Sequence, residues 1–289
     1  MLIADSGATK TDWRFIDKKG NVHTFSTAGF SPLFWTSKEI ADELNRKIPR
    51  KVKSQISPKG VLRTNLKSQI YFYGTGCSSA ARNKIVEVAL KKVFPHSAPH
   101  IHHDILASAR ALLGRQKGIA CILGTGSNSC YYDGKRITET KGGLTYILGD
   151  EGSGAHLGKE FIKAFLNHEL PEKIHKAFLE EYRLDKDKIF QAVYHKKYPN
   201  RFLASFAKFV HQHLSDPFIH KIATQCLTEF FEKTICKYEN HRHVPVGFVG
   251  SIASNFKNIL RLIAKEKGVE INKIISNPID ELVKYHLSL

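Results

Sequence analysis

Two short turns and a few aspartates hold the chemistry open to this sequence. Near the N-terminus the apolar run Leu2-Ile3-Ala4 ends in Asp5 and enters Ser6-Gly7-Ala8-Thr9-Lys10-Thr11. A second apolar run ends at Leu123 and enters Gly124-Thr125-Gly126-Ser127-Asn128. Loops of Gly, Ser and Thr offer backbone N–H groups and hydroxyls to an anion, and glycine lets the backbone come close or take a positive φ. An aspartate at a strand end beside such a loop lies where α/β sheets bind ligands, and it suits Mg²⁺ held through water. One such turn fits a surface hairpin equally well. Two, one in each half of the chain, could grip one triphosphate from opposite sides of a cleft. The GxxxxGK[ST] phosphate loop is absent.

Other carboxylates have two readings each. Asp104 follows His100-Ile101-His102-His103 and opens a helical pattern, so it fits a helix N-cap. It also fits the carboxylate that phosphoryl transfer needs beside an attacking hydroxyl. Asp150, in Gly149-Asp150-Glu151-Gly152-Ser153, is either an acid at the start of the next helix or a ligand contact. The histidines beside Asp104 sit on one strand and point to both faces. With 15 His in the chain, they read as surface or supporting residues rather than a metal cluster.

The elements that must position these groups follow from periodicity. LIADS, TDWRFID and VHTFSTA read as strands, with DKKGN as a turn, and SKEIADELNRKI as a helix capped by Ser37. QIYFYGTG is a strand followed by an amphipathic helix, and HIHHDILASARALLG a strand passing into a helix at Asp104. GIACILGTGSNSCYYDGKRITET then repeats the opening pattern of strand, turn, strand, tight turn, strand, which indicates an internal duplication. Residues 153–240 read as helical, VPVGFVG and INKIIS as strands, and PIDELVKYHLSL as a last helix with Pro278 near its start. The alternation places the chain in the α/β class.

Composition narrows the function classes. No stretch approaches the ~20 apolar residues of a membrane-spanning helix, and Asp5 interrupts the first apolar run too early for an export signal. Five cysteines without a CxxC pair read as reduced thiols in a cytoplasmic protein. The net charge of +17, from 44 Lys and Arg against 27 Asp and Glu, is spread along the chain. Its densest run, residues 46–67, has no aromatic to stack a base, so it reads as a solvated face rather than a nucleic-acid site.

Four motifs, in order along essentially the whole chain, resemble those of the superfamily of sugar kinases, actin and the Hsp70 chaperones. Asp5–Thr11 resembles its first phosphate motif, Leu123–Asn128 the second, and Gly247-Phe-Val-Gly-Ser-Ile-Ala253 its adenosine motif. Leu148-Gly-Asp-Glu-Gly-Ser-Gly154 is similar to the N-acetylglucosamine kinase branch, which also holds the BadF/BcrA-type activator ATPases. The resemblance implies an α/β protein of two RNase H-like (actin/hexokinase-type) domains with a cleft between them. The expected domains are residues 1–112 and 113–276, the second enlarged by helices over about 153–240. The C-terminal helix at 277–289 would pack back on the first.

The resemblance also assigns roles. Asp104 would take the proton from a sugar 6-hydroxyl. Asp5 would serve Mg²⁺. Ser6, Gly7, Thr9, Lys10, Thr11, Gly124, Thr125, Gly126 and Ser127 would surround the phosphates of ATP, and Gly250 and Ser251 the adenosine. Ser31, Gly143 and Asp150, with Asp104 and Thr125, would hold the sugar. The implied reaction is ATP-dependent phosphorylation of an amino sugar, first N-acetylglucosamine, by a homodimer. Two departures bear on the substrate: Ser31 stands where the family commonly has Asn, and Leu144 lies near where the animal enzymes carry Trp. Glucosamine, N-acetylmuramic acid and glucose therefore stay open. So do an activator ATPase with a dimer-bridging iron–sulfur cluster and a non-catalytic sugar sensor.

Overall fold

The computed structural model describes residues 1–7, 9–56 and 68–288. Ala8 of the first turn and residues 57–67 of the basic run lie outside the described residues. The chain divides into two compact units, Met1–Ala111 with Pro278–Leu289, and Leu112–Asn277.

Each unit is built on a five-stranded sheet. The first has the order β3-β2-β1-β4-β5, from β1 (Leu2–Ser6), β2 (Lys10–Ile16), β3 (Val22–Ala28), β4 (Ser68–Gly74) and β5 (Ser97–His103). The second has the order β8-β7-β6-β9-β10, from β6 (Gly118–Leu123), β7 (Ser127–Tyr132), β8 (Ile137–Gly142), β9 (Val246–Val249) and β10 (Ile271–Ile275). The wiring is the same twice: three antiparallel strands, then two parallel strands added beside the first. This is the duplication expected from the sequence. It extends to the tight turns. In each, an Asp carboxylate caps two following N–H groups and a glycine takes a positive φ. Asp17 with Gly20 does so in the first unit, and Asp133 with Gly134 in the second.

The strands follow their patterns. β1 and β6 lie in mid-sheet and are buried almost throughout, β6 as an apolar run and β1 as one that ends at Asp5 and Ser6. β2 alternates, with Thr11, Trp13 and Phe15 buried between Asp12 and Arg14. The helices, in chain order, are α1 (Ser37–Lys47), α2 (Arg50–Ile56), α3 (Ala80–Val93), α4 (Asp104–Leu113), α5 (Thr145–Leu148), α6 (Gly154–Leu166) and α7 (Glu172–Tyr182). They continue with α8 (Lys186–Phe190), α9 (Pro199–Ser205), α10 (Ala207–Gln212), α11 (Pro217–Lys233), α12 (Ser251–Asn255), α13 (Lys257–Lys267) and α14 (Ile279–Leu287). The cap of α1 is Thr36, not the expected Ser37. Thr36 and Glu39 form a reciprocal capping box, which Ser37 has no acid in position to make.

The first core gathers Trp13, Phe15, Phe30 and Phe72, with Phe30 stacked on Phe72. The second is larger and aromatic, with Phe161, Phe178, Phe206 and Phe209 packed edge to face. Helix α14 packs on β1 and β2. It is pinned by Asp280 on Arg14 at 2.8 Å and by His286, whose Nε2 meets the Tyr73 hydroxyl at 2.8 Å. Among the described residues no helix is long and apolar enough to cross a membrane.

Candidate active site

In the first unit the turn after β1 is a hairpin turn, as the simpler reading had it. The Gly7 N–H donates to the Lys10 carbonyl at 3.0 Å, and β2 returns antiparallel with Ser6 opposite Thr11. Gly29 backs this turn: its N–H donates to the Thr9 carbonyl at 2.8 Å, and a Cβ there would collide with the Gly7 carbonyl oxygen. The phosphate candidates divide into two sets. Gly7, Thr9 and Lys10 are exposed. Ser6 and Thr11 are fully buried, their hydroxyls 2.8 Å apart and turned to the carbonyls of Phe30 and Ala28. Those two brace the turn from within.

Asp5 faces Asp12 directly across the hairpin. Opposed like charges on neighbouring strands repel. Lys10 answers Asp12, with Nζ at 2.6 Å, but Asp104 adds a further charge near Asp5. Asp5 keeps some surface, yet burial of its carboxyl is the largest cause, ahead of Asp104 and Asp12, in raising it to about 7. A carboxylate so crowded is relieved by a cation, and an all-oxygen donor set suits Mg²⁺. Among the described residues no three His, Cys, Asp or Glu side chains converge to chelate a metal by themselves. A Mg²⁺ ion there would draw most of its shell from phosphate and water.

Asp104 is the first residue of α4, at the C-terminal end of β5. Among the described residues no backbone N–H bonds its carboxylate, and the Ile105 N–H goes instead to Nδ1 of His103 at 3.4 Å, so Asp104 does not act as the cap that its position suggested. Its Oδ1 is buried and lies 2.7 Å from Nδ1 of His103, out of line for a hydrogen bond but at ion-pair distance. Burial works to lower His103, but two effects of Asp104 outweigh it, so the ring is held above its ordinary value. Ser31 is buried, and its Oγ accepts the Leu33 N–H at 3.4 Å. A Cβ on Gly76 would strike that Oγ, so Ser31 wedges its loop against the turn after β4.

In the second unit three motifs converge at the ends of β6 and β9. The turn after β6 closes by the Gly124 N–H donating to the Gly126 carbonyl at 3.0 Å. The first amides of α6 hold its other carbonyls: Gly154 N–H donates to Gly124 at 2.8 Å and Ala155 N–H to Thr125 at 3.1 Å. Asp150 sits behind the turn. Its Oδ1 accepts the Ser127 N–H at 3.1 Å, and a Cβ on Gly126 would come within 2.8 Å of its Oδ2. Burial raises the Asp150 carboxyl, the Ser127 N–H opposes that, and Glu151 adds to it. The cap of α6 is Ser153, whose Oγ accepts the His156 N–H. Asp150 is therefore spent on the turn, not on the helix.

Gly250, with φ +127°, passes so close to the Leu123 carbonyl that a Cβ there would collide with it. This sets the start of α12, with Ser251 exposed, against the strand that opens the turn. Gly143 (φ +70°) lies against Asn128, where a Cβ would meet Oδ1 at 2.9 Å. Between Gly143 and Asp150, Leu144, Ile147 and Leu148 stand more than half exposed.

The remaining candidates settle into supporting positions. His100 bonds Gln69 at 2.8 Å and His102 packs on Tyr73. Burial first, then Arg110 and His100, push His102 down to about 4. Cys77, Cys121, Cys130 and Cys226 are buried, and burial raises each thiol. Thiols so placed lack the exposed thiolate character that a cluster bridging two subunits requires. A cavity of about 760 Å³ in the second unit, lined by Glu160, Lys163, Lys221 and Glu229 among others, contains none of the motif residues. Sequence reasoning missed Asp12 and His156, whereas His103 takes the supporting place beside Asp104 that the sequence suggested. Asp12 was readable, because a hairpin closing between Gly7 and Lys10 places it opposite Asp5.

The chain is similar over its full length to a solved structure from Porphyromonas gingivalis, provisionally assigned as an N-acetylglucosamine kinase. The two are 38% identical with a TM-score of 0.89, covering 100% of this chain and 99% of that one. A Chromobacterium violaceum protein with the same provisional assignment is 16% identical with a TM-score of 0.74, covering 98% of each chain. A glucokinase of the ROK family from Streptomyces griseus, solved with glucose and AMPPNP, is 12% identical with a TM-score of 0.52 over 99% of this chain and 97% of that one. These last two share the fold. No family model and no curated protein sequence matches the chain.

Proposed function

The chain belongs to the N-acetylglucosamine kinase-like family of the sugar kinase and actin superfamily, and from that premise we propose that it phosphorylates an amino sugar, N-acetylglucosamine first, on its 6-hydroxyl with ATP. The observation that carries this reading is the full-length similarity at 38% identity, joined to a carboxylate, Asp104, whose buried Oδ1 has no hydrogen-bond partner among the described residues. Glucosamine, N-acetylmuramic acid and glucose are the competing acceptors, because Ser31 stands where the family commonly has Asn and Leu144 lies near where the animal enzymes carry Trp.

In this reading Gly7, Thr9, Lys10 and Gly124–Ser127 bind the phosphates, with Gly250 and Ser251 at the adenosine. Asp150 and Gly143, with Ser31, Thr125 and Asp104, hold the sugar. Asp104 accepts the proton of the 6-hydroxyl as its oxygen bonds the γ-phosphorus. The bond from that phosphorus to the β–γ bridging oxygen breaks, and ADP leaves. His103, beside Asp104, steadies its charge. Asp5, with Asp12 beside it, would hold Mg²⁺, which supplies charge neutralisation to the phosphates. A homodimer and a cytoplasmic location complete the proposal, the second resting on the five free cysteines. Light scattering and cell fractionation test them.

The experiment that tests the reaction is phosphorus NMR of the product formed from N-acetylglucosamine and Mg·ATP. A phosphate coupled to the C6 protons supports the reading. Phosphate on the anomeric oxygen, or none on the sugar, overturns it.

A further inference from the structure

Asp150 has a second residue behind it that the family's motifs do not include. The turn that carries it is strained: Asp150 (φ +59°) and Gly152 (φ +69°) are both left-handed, and a Cβ on Gly152 would press on Phe230 at 2.8 Å. A non-glycine residue holds such a backbone only where neighbours over-determine it. Three bonds do so here. Asp150 Oδ1 accepts from Ser127, the Asp150 carbonyl accepts the Ser153 N–H at 3.1 Å, and Nδ1 of His156 accepts the Gly152 N–H at 3.1 Å. His156 is buried. Its Nδ1 can accept only while it carries no proton, which places the ring's hydrogen on Nε2.

We propose that His156 is the positioning residue of the sugar site: its neutral imidazole locks the 150–153 turn from behind, and protonation of the ring frees Asp150 and weakens the hold on sugar. A proton on Nδ1 would face the Gly152 N–H, donor against donor, and the lock would open. The inference rests on the proposed role of Asp150 toward sugar.

The surroundings keep the ring neutral near pH 7. Burial is the largest cause and Lys159 of α6 adds to it, so the imidazole is held below its ordinary value. Glu229 of α11, Glu160 of α6 and Glu151 of the turn oppose this. Those three are partly answered by lysines: Lys233 lies 2.7 Å from Glu229 and 3.8 Å from Glu151, and Lys163 lies 2.7 Å from Glu160. The ring is held below its ordinary value, so the lock is closed at neutral pH and opens on the acid side.

The test compares wild type with H156N, H156L and D150N. Asn places an amide oxygen near the position of Nδ1 and does not titrate. In the wild type the KM for N-acetylglucosamine should rise roughly fivefold between pH 7.5 and 5, while H156N keeps the neutral-pH value flat. H156L, which removes the acceptor, should raise that KM roughly tenfold at every pH and leave the KM for ATP unchanged. In nitrogen-15 spectra the Gly152 amide should shift over the same acid range in wild type and stay still in H156N. A wild-type acid rise that persists in H156N, or a Gly152 amide indifferent to pH, overturns the proposal, and H156N decides the matter even if H156L fails to fold. If D150N leaves the sugar KM unchanged while the Gly152 amide still follows His156, the lock stands and the assignment of Asp150 to sugar falls.

Discussion

The Asp150 carboxylate accepts the Ser127 N–H at 3.1 Å, so a residue expected to hold sugar also fixes the end of the second phosphate turn. Substitutions there should separate the two duties. Asp150→Asn keeps an oxygen for Ser127 and should raise the sugar KM about tenfold or more with the ATP KM nearly unchanged. Asp150→Ala leaves Ser127 without its partner and should raise both. Steady-state kinetics with each substrate varied in turn would show the split.

Asp5 should cost stability and supply function. Its folded carboxyl lies near 7, against an ordinary value near 4. A carboxyl raised on folding adds most to stability below about pH 4, and that contribution is lost as the pH rises to about 7. Asp5→Asn should therefore stabilise the protein at pH 7.5 by on the order of 1 kcal/mol after solvent screening, read as a higher melting temperature, and change its stability little at pH 4. The same variant should lose Mg²⁺-dependent activity. Thermal melts at the two pH values, with and without Mg²⁺ and ATP, check both halves.

Asp104→Asn should lower kcat by about 10²–10⁴-fold, the range for loss of a general base, while ATP still binds. His103→Gln should lower it less, because that ring acts on Asp104 rather than on the hydroxyl. Calorimetry of ATP binding beside kcat would distinguish loss of the base from loss of the site.

Much of this was legible in the sequence because it rests on local chemistry. The alternation of β2, the apolar run of β1 and the paired Asp-to-Gly turns announced the duplicated sheets, and both sheets have the same strand order. What stayed hidden depends on partners distant in the chain. Ser6 and Thr11 look like free hydroxyls until Phe30 and Ala28 are folded over them. Asp104 and Asp150 look like helix caps until His103 and Ser127 are seen to face them. His156 was unreadable as a lock, because only the left-handed turn brings the Gly152 N–H to its ring.

Gly250 should tolerate nothing larger. Its φ of +127° and its approach to the Leu123 carbonyl make alanine both strained and obstructed. Gly250→Ala should destabilise the protein by more than about 2 kcal/mol and weaken ATP binding. Gly124→Ala meets open space at the same turn and should be far milder in stability. Denaturant unfolding of the pair tests this contrast.

The decisive measurement is ADP release from the purified protein with Mg·ATP, across N-acetylglucosamine, glucosamine, N-acetylmuramic acid and glucose, with Asp104→Asn as control. Release should depend on N-acetylglucosamine and disappear in the variant. Release that is indifferent to every sugar, or that survives the loss of Asp104, would show that the chain is not a sugar kinase working through that carboxylate.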